Sequence, residues 1–443
     1  MEDLLRNSDP GLVPFASAAF REHDFLELVP SSPSSVRILF LSQRVPYPPN
    51  RGDKITTWRL VDRMRRSHEV TCVAFAHDAY DLQAARELDA MGIPTLPIRH
   101  RDGWKRLTSA PRLLSSSPLT LGVYGSRKLQ AVVDRLMPQT DLAYAYSSSM
   151  GAFLEKHRDK ARIMHLGELD SDKWRQYGEF SSFPMRQVYR REARTLLEFE
   201  RRIAQSFSEN VLCTSLEQKI FQERIPGAPS IVLRNGVDLK YFRPADAEPW
   251  PGHIVFTGIM NYYPNVDGCR FFVNEVYPLV RKEFPRAKFT IVGANPTPEV
   301  RKLGRAVGVS VTGFVHDTRK ILRTASISVA PLRMARGIQN KVLEAMAMGI
   351  PVVGTTSAVQ GVEGMEGRDY LVANEARDFA ESVCRLLRDP ESAQELGLRG
   401  RRFVEQNYDW EVVFRPLDEV LERCVASHAS AVQAEIAGAA PAI

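Results

Sequence analysis

The sequence predicts an α/β protein built from two doubly wound parallel sheets that face each other across a cleft. Short β-rich apolar runs alternate with amphipathic stretches of helix length along the chain, a pattern typical of parallel sheets with right-handed crossovers. The runs fall into two series, separated by turn and breaker residues at 236–252. At 443 residues the chain also exceeds the size at which one core usually divides. We therefore expect two Rossmann-like domains.

The strands are predicted in two groups. The first group comprises Val36–Ser42, Glu69–Phe75, Leu142–Ser147, Arg162–Leu166 and Asn210–Ser215. The second comprises His253–Ile259, Lys288–Gly293, Val309–Phe314, Ile327–Pro331, Pro351–Gly354 and Tyr370–Ala373. The predicted divisions are a disordered tail at 1–35, a first domain at 36–240, a linker at 241–252, a second domain at 253–409, a helix at 410–427 and a flexible tail at 428–443.

Composition is that of a globular protein, with 44% hydrophobic and 25% charged residues. No apolar run reaches the roughly 18–20 residues that span a bilayer, and the acidic first 35 residues lack a signal-peptide core. We therefore expect a cytoplasmic protein. The five cysteines lie far apart without metal or redox spacing, which favours buried free thiols.

Residues 99–130 hold seven Lys or Arg and one Asp, with leucines and a tryptophan interleaved. Such an excess suits an anionic partner, such as a membrane surface or a lipid diphosphate. It is equally typical of a solvated basic helix and loop. No nucleic-acid motif accompanies the charge, so we expect no nucleic-acid partner.

The first motif follows the first strand. A proline-rich loop leads to Gly52 and then to a helical pattern from Ile55 to Met64. Gly52 allows a ligand to approach the backbone closely, and the helix N-terminus behind it suits a phosphate. Asp53 is the expected N-cap residue, with Thr56 a weaker choice. The alternative is a rigid surface turn.

The second motif lies between Pro331 and Val353, where a glycine-containing loop leads to a helix starting at Gln339 or Asn340 and stopping at Gly349. Lys341 and Glu344 are three residues apart and share a face of that helix. A lysine beside the positive end of the helix dipole is reasonable if an anion binds there. A carboxylate among apolar neighbours needs donors, and sugar hydroxyls would serve. The alternative is an ion pair on a solvated face.

These motifs resemble those of the group 1 retaining glycosyltransferases of the GT-B fold. The resemblance rests on Gly337…Lys341-x-x-Glu344-Ala345-Met346-Ala347-x-Gly349-x-Pro351-Val352-Val353, on Arg234-Asn235-Gly236-Val237-Asp238, on Phe256-Thr257-Gly258 and on Ile291-Val292-Gly293. Arg44-x-Pro46-Tyr47-Pro48-Pro49-x-x-Gly52-Asp53 and Leu169-Asp170-Ser171-Asp172-Lys173-Trp174 make the chain similar to the sugar transferases of exopolysaccharide and PEP-CTERM systems.

The resemblance implies roles for individual residues. Glu344 would bind ribose or sugar hydroxyls of a UDP- or GDP-linked donor, Gly52 would face its diphosphate, and the helix at 410–427 would cross back onto the first domain. The other implied donor-binding positions are Gly258, Gly337, Gln339 and Asn340. Two departures stand out. The usual signature has a second Glu eight residues before Glu344, where this chain has Arg336, and it has an Arg and a Lys after the first donor-domain strand, where this chain has Ile259–Asn265. We infer that Arg333, Arg336 or Lys341 supplies the missing positive charge.

The acceptor hydroxyl could be helped by a base. His165 ends a strand, and Asp170 follows it in the family-like segment, so both are candidate catalytic residues beside Glu344. A lone histidine is also commonly structural, and in retaining relatives the leaving phosphate can take the proton. Asp170-Ser171-Asp172 has metal-like spacing but lies in the acceptor half. We predict no metal, and no cofactor beyond the nucleotide sugar.

The predicted function is retaining transfer of a hexose from a nucleoside diphosphate to a lipid-linked or glycan acceptor in exopolysaccharide or cell-surface glycan synthesis. Peripheral contact with the inner membrane is predicted through residues 99–130. Two alternatives stay open. A nucleotide-sugar epimerase shares this architecture and needs no acceptor. A non-catalytic scaffold that binds the nucleotide sugar fits the loss of the signature Glu at Arg336.

Overall fold

The computed structural model describes residues 35–244 and 248–438. The tail predicted at 1–35 lies outside the described residues except for its last residue, and so do residues 439–443 of the second predicted tail. Residues 428–438 of that tail continue the last helix of the chain.

The strands form two parallel sheets. The first sheet contains β1 (Arg37–Ser42), β2 (Glu69–Ala76), β3 (Thr95–Arg99), β4 (Leu142–Tyr146), β5 (Ala161–Gly167), β6 (Glu209–Leu212) and β7 (Ser230–Val232), in the order β3-β2-β1-β4-β5-β6-β7. The second contains β8 (His253–Thr257), β9 (Lys288–Val292), β10 (Val309–Val311), β11 (Ile327–Ala330), β12 (Val352–Gly354) and β13 (Leu371–Val372), in the order β10-β9-β8-β11-β12-β13. Neighbouring strands pair in parallel throughout. The predicted pair of doubly wound sheets is confirmed.

Helices connect the strands and cover both faces of each sheet. Those of the first half are α1 (Gly52–Met64), α2 (Ala79–Ala90), α3 (Asp102–Ser109), α4 (Leu119–Tyr124), α5 (Arg127–Leu136), α6 (Ser148–Gly151), α7 (Asp170–Glu179), α8 (Met185–Ala204) and α9 (Ser215–Arg224). Those of the second half are α10 (Tyr263–Phe271), α11 (Tyr277–Glu283), α12 (Pro298–Leu303), α13 (Arg319–Leu322), α14 (Asn340–Ala347), α15 (Thr356–Val359), α16 (Ala376–Arg388), α17 (Pro390–Asn407), α18 (Trp410–Val413) and α19 (Arg415–Gly438). Among the described residues, no helix is both long enough and apolar enough to cross a membrane.

The sheets are buried on both faces, as parallel sheets require. On β1, Ile38 and Phe40 belong to one apolar cluster and Leu39 and Leu41 to the cluster on the opposite face, because successive side chains of a strand alternate. The second sheet has its own cluster around Phe256 and Phe289.

The end of the chain returns to the first sheet. Trp410, Leu417 and Leu421 of α18 and α19 belong to the same apolar cluster as Ile38 of β1. The return passes beside the outgoing connection, since the Val237 N–H donates to the Tyr408 carbonyl oxygen at 2.7 Å. The two halves are thus joined by two adjacent segments.

Each predicted strand is present, with ends within three residues of the prediction. Two short strands at the edges of the first sheet, β3 and β7, were not predicted. β3 contains Pro97 and ends in Arg99. Edge strands tolerate these residues, but the sequence pattern alone does not predict a strand there. β7 has three half-buried residues, too few to give a pattern.

Candidate active site

The carboxyl ends of the two sheets face each other, and the loops that follow the strands form the walls of one cleft. A Cβ atom placed on Gly52, in the first half, would lie 3.9 Å from Nδ2 of Asn340 in the second. At the rim, the hydroxyl oxygens of Tyr177 and Tyr262 are 3.5 Å apart. Residues predicted to bind one donor from opposite domains are therefore neighbours in space.

Gly52 is the first residue of α1, so the N-terminus of a 13-residue helix opens toward Asn340. The prediction that Asp53 caps this helix is wrong. Arg51 occupies the N-cap position without a side-chain hydrogen bond, and Asp53 lies inside the first turn. The Asp53 carboxylate is 2.6 Å from Nε of Arg51 and 3.6 Å from Nε of Arg44. Two arginines against one carboxylate leave this helix end positive, as anion binding requires.

α14 carries Lys341 in its first turn and Glu344 one turn later. Both side chains are half-buried, and their charged atoms do not come within the 4 Å of an ion pair. Burial lowers the pKa of Lys341 to about 8, opposed by Glu344, and burial raises the pKa of Glu344 to about 7, opposed by Lys341. The expected alternative, an ion pair on a solvated face, does not describe this arrangement. Two half-buried charged groups that form no ion pair are typical of a ligand site.

The turn before α14 places polar groups at the cleft. Gln339 is the N-cap residue, and its Nε2 donates to the Arg336 carbonyl oxygen at 2.8 Å. Oδ1 of Asn340 is buried and has no hydrogen-bond donor among the described residues. Gly337 has a φ of +59°, and a side chain there would press on Sγ of Cys213 at 3.1 Å. Gly337 thus allows the two halves to approach, while Asn340 is left to accept a hydrogen bond from a ligand.

Gly258 leaves room for Asn265, a residue that the sequence analysis did not single out. A Cβ atom on Gly258 would lie 2.7 Å from Nδ2 of Asn265. Asn265 occupies that space, donates to the Ile259 carbonyl oxygen at 2.9 Å and accepts from Nζ of Lys341 at 3.0 Å. The segment 259–265, noted above only for lacking the usual cations, therefore holds the lysine of α14 in place.

The two arginines proposed as phosphate ligands are both engaged with carboxylates. Nε of Arg333 is 2.9 Å from Oδ2 of Asp267. Arg336 crosses the cleft to the first half, where it pairs with Asp172 and where its Nε lies 3.0 Å from Oε1 of Glu217. Of the three predicted cations, Lys341 alone has no carboxylate within ion-pair distance in the described part of the chain.

On the acceptor side, His165 lies at the end of β5 but is only 1% exposed. Its Nδ1 is hydrogen-bonded to the Tyr144 hydroxyl at 2.7 Å, and burial lowers its pKa to about 3. A neutral, enclosed imidazole that is hydrogen-bonded to a tyrosine fits a structural role, which the sequence analysis gave as the alternative to a catalytic one. The geometry gives no support to His165 as a base.

Asp170 begins α7, and burial raises the pKa of its half-buried carboxyl group, which accepts a hydrogen bond from Oγ of Ser148 at 3.3 Å. Beside it, Oε1 of Glu168 is 3.7 Å from Nζ of Lys173. Burial opposes the charge of Lys173, but Glu168 and Asp170 raise its pKa above the usual range. The other carboxylate oxygen of Glu168 lies 3.8 Å from where a Cβ of Gly337 would be. Glu168 is thus the acceptor-side carboxylate that faces the loop before α14.

Backbone strain marks the same wall. Ser147, directly after β4, has a φ of +88°, a region that non-glycine residues rarely adopt. Its N–H donates to the His165 carbonyl oxygen at 2.8 Å, and its Oγ is 3.0 Å from Oγ of Ser149. Such strain commonly accompanies functional loops.

A cavity of about 520 Å³ opens at the carboxyl ends of β9 and β10, on the same sheet edge as Gly258. Its polar and aromatic lining includes Asn295, Arg301, Arg305 and Phe314, and the Phe314 ring is 67% exposed. The sequence did not predict this cavity, because its walls come from two separate loops. An exposed ring beside two guanidinium groups suits a flat, polar heterocycle such as a nucleobase.

Among residues 35–244 and 248–438, no group of three or more His, Cys, Asp or Glu side chains is placed to hold a metal ion. The described cysteines are all buried and unpaired, as their spacing predicted. Metal independence of the reaction stays a prediction.

Comparison with known sequences concerns mainly the second half. Residues 251–389 match the family described as "Glycosyl transferases group 1". An "Uncharacterized 44.6 kDa protein in cps region" of Klebsiella pneumoniae is 25% identical over 170 residues, 37% of this chain and 44% of that protein. A Corynebacterium glutamicum enzyme named "GDP-mannose-dependent monoacylated alpha-(1-6)-phosphatidylinositol monomannoside mannosyltransferase" is 27% identical over 212 residues, 43% of this chain and 55% of that enzyme. The matched segments thus span about half of these relatives' own lengths.

Comparison with solved structures concerns the fold of both halves. HepE of Anabaena, solved in complex with UDP and glucose, superposes with a TM-score of 0.64 at 15% identity, over 88% of this chain and 100% of the HepE chain. The predicted GT-B fold is confirmed by this likeness, which at such low identity concerns the fold alone.

Proposed function

We propose that this chain, whose residues 251–389 match the group 1 glycosyl transferase family, moves a sugar from a nucleoside diphosphate sugar onto an acceptor hydroxyl. One observation carries the proposal. Asn340, Lys341 and Glu344 of α14 stand at the carboxyl edge of the second sheet, opposite the positive N-terminus of α1 at Gly52. A diphosphate is stabilised by positive charge and free N–H groups, and sugar hydroxyls donate hydrogen bonds to a carboxylate. The cleft offers all of these groups.

The chemistry follows from these groups. Glycosyl transfer passes through an oxocarbenium-like state, while negative charge grows on the departing diphosphate. Lys341, held by Asn265, and the first N–H groups of α1 would stabilise that charge in a half-buried cleft. The Glu344 carboxylate would accept hydrogen bonds from donor hydroxyls, which favours its ionised form and offsets its raised pKa. Glu168 and Asp170 face the acceptor side, and Asp170 is the better placed of the two predicted bases.

The finer features of the proposal are a retaining, metal-independent hexosyl transfer, a lipid-linked acceptor and a role in exopolysaccharide synthesis at the cytoplasmic face of the membrane. The Klebsiella relative is named for a cps region, and the Corynebacterium relative for a lipid-linked acceptor, and both names support this assignment. The nucleotide is UDP or GDP. HepE was solved with UDP, whereas the Corynebacterium enzyme is named for GDP-mannose.

The test is a thermal-shift screen of UDP- and GDP-sugars on the wild type, on Glu344→Ala and Lys341→Ala, and on Glu395→Ala as a control at an exposed site on α17. A donor at about 100 times its Kd stabilises the fold by about 2.7 kcal/mol. We expect one class of donor to stabilise the wild type and the control, and to lose its effect on both α14 variants. If no nucleotide sugar, UDP or GDP shifts the wild type, the proposal fails.

Turnover separates transfer from the two alternatives. A transferase consumes the bound donor only when an acceptor, such as a lipid-linked diphosphate sugar, is added. An epimerase would convert the donor sugar without any acceptor, and a scaffold would bind the donor and leave it unchanged.

A further inference from the structure

A helical hairpin in the first half ends in an exposed apolar tip. Helices α7 and α8 pack side by side, and the connection between them carries Phe180 and Phe183 and leads into Met185, the first residue of α8. Phe180 is 57% exposed, Phe183 81% and Met185 41%. Exposed apolar side chains on a protein surface are normally scattered singly, whereas here three large ones lie within six residues. A group of this kind marks a contact surface.

The side of the hairpin behind the tip is cationic. Arg186, Arg190 and Arg194 are exposed and four residues apart, so they form one stripe along α8. The one acidic residue between 180 and 194 is Glu192, which is buried and accepts the backbone N–H groups of Leu119 and Thr120 at 2.8 Å. Between 180 and 194, no exposed carboxylate therefore balances the arginine stripe. The exposed carboxylates Glu179 and Glu198 lie just outside its two ends, and Glu179 is paired with Arg175 at 2.5 Å.

We propose that this segment, Phe180–Arg194, docks on the surface of an anionic lipid bilayer. Its phenyl rings would enter the interface, and its arginines would pair with lipid headgroups. An aromatic tip adjoining unbalanced arginines is the combination that binds anionic membranes. A groove on another protein could hold the rings, but it would not by itself account for three exposed arginines in a row beside them.

On this proposal the membrane contact lies on the hairpin, whereas the sequence predicts it on residues 99–130. Part of that stretch is packed against α8, where Nη2 of Arg191 donates to the carbonyl oxygens of Arg112 and Ser117 at 2.6 and 3.0 Å. Its own cations are partly used inside the fold, since Nζ of Lys105 donates to the Gly125 carbonyl oxygen at 2.6 Å. Arg99, Arg101, Arg127 and Lys128 are exposed and provide the rival surface, with the last two adjacent at the start of α5.

The position of the tip relates the membrane to the cleft. α7 starts at Asp170 on the acceptor wall, and its ten residues span about 15 Å before the tip begins. A bilayer at the tip would therefore lie about one short helix from the acceptor side. The inference itself rests on the exposed residues of the hairpin and needs no assumption about the reaction.

The experiment is sedimentation of the full chain with vesicles of phosphatidylcholine alone or with about one third phosphatidylglycerol, at about 0.1 M salt. We expect binding to the anionic vesicles only. Arg186→Gln, Arg190→Gln and Arg194→Gln combined should weaken binding about 100-fold, since each arginine near such a surface contributes about fivefold. Phe180→Ser with Phe183→Ser should weaken it at least about tenfold. The control combines Lys282→Gln, Arg286→Gln and Lys288→Gln, exposed cations of the second half with the same charge change, and should bind like the wild type.

Four outcomes would overturn the proposal. The first two are a wild type that does not sediment with anionic vesicles, and a control variant that loses as much vesicle binding as the arginine variant. The other two are a phenylalanine variant that binds as well as the wild type, and a loss of vesicle binding in Arg127→Gln with Lys128→Gln instead of in the hairpin variants. The replaced residues are exposed, so circular dichroism should show every variant folded. The assay contains no sugar nucleotide, so its failure would leave the proposed function untouched.

Discussion

Replacing Arg336 with methionine should destabilise the protein more than any single surface change, because its guanidinium joins the two halves. The side chains of Arg336, Asp172 and Glu217 are 7%, 5% and 2% exposed. Without Arg336, Asp172 keeps its contact with Arg175 at 2.7 Å, but Glu217 is left buried with the Gly337 backbone N–H. Removing one partner of a buried ion pair costs about 3–5 kcal/mol. In a domain of about 200 residues each kcal/mol shifts Tm by about 2–4 °C, so we expect a drop of roughly 6–20 °C.

Thermal unfolding followed by circular dichroism measures this drop. The matched control is Arg333→Met, which also breaks an arginine–aspartate pair. Its arginine is 46% exposed, although Asp267 is buried, so we expect a smaller loss than for Arg336, whose two acidic partners are both buried. Adding Glu217→Gln to Arg336→Met removes the stranded charge and should restore at least half of the lost Tm. A drop no larger than that of Arg333→Met, or a double variant less stable than Arg336→Met alone, would refute the reasoning.

Three further predictions concern the donor half. Donor affinity should rise as pH passes about 7, because Glu344 ionises there, and it should fall above about 8, because Lys341 loses its proton. Titration calorimetry at a series of pH values should therefore show the highest affinity between pH 7 and 8. Gly293→Ala should prevent proper folding, because its Cβ would collide with the Gly258 carbonyl oxygen at a φ of +153°, and soluble yield and Tm report this. Phe314→Ala should weaken nucleotide binding about 5- to 100-fold if a base stacks on that ring, as direct binding of UDP and GDP would show.

Each of these has its own control. A flat affinity from pH 6 to 9 would contradict the roles of Glu344 and Lys341. Gly367→Ala, at a φ of +77° with open space around it, isolates the backbone penalty from the collision and should lower Tm only slightly. Unchanged nucleotide affinity in Phe314→Ala would place the base elsewhere on the cleft.

The ends of α14 in the donor half were predictable because their signals are local. The expected start of α14 at Gln339 or Asn340 and its stop at Gly349 are confirmed, with Gly349 at a φ of +70° as a left-handed terminal residue. The glycine turn at Gly52 was likewise readable from a strand, a breaker and a helix in succession. Motifs of this kind are fixed by backbone conformations that few residue types allow.

What the sequence could not provide are contacts between distant segments. The spacing from Asn265 to Lys341 is 76 residues, and nothing in either segment specifies that the amide accepts from the ammonium group. The cap of α1 was misassigned for a similar reason, since Asp53 is a good capping residue in isolation but is drawn into ion pairs with Arg44 and Arg51. Tertiary partners outweighed local preference in both places.

Arg336 is the clearest case, because its meaning depends on the other half of the chain. Read alone, an arginine where the resembled family has a glutamate looks like the loss of a sugar-binding carboxylate. In the structure that position faces Asp172 and Glu217, two buried carboxylates of the first half. A glutamate there would add a third buried negative charge, which is strongly unfavourable in such surroundings. Arg336→Glu should therefore restore the family signature and yet push the halves apart, giving a larger radius of gyration by X-ray scattering and weaker donor binding. A variant that stayed compact and bound donor more tightly would mean that the arginine, and not its acidic partners, is the departure that matters.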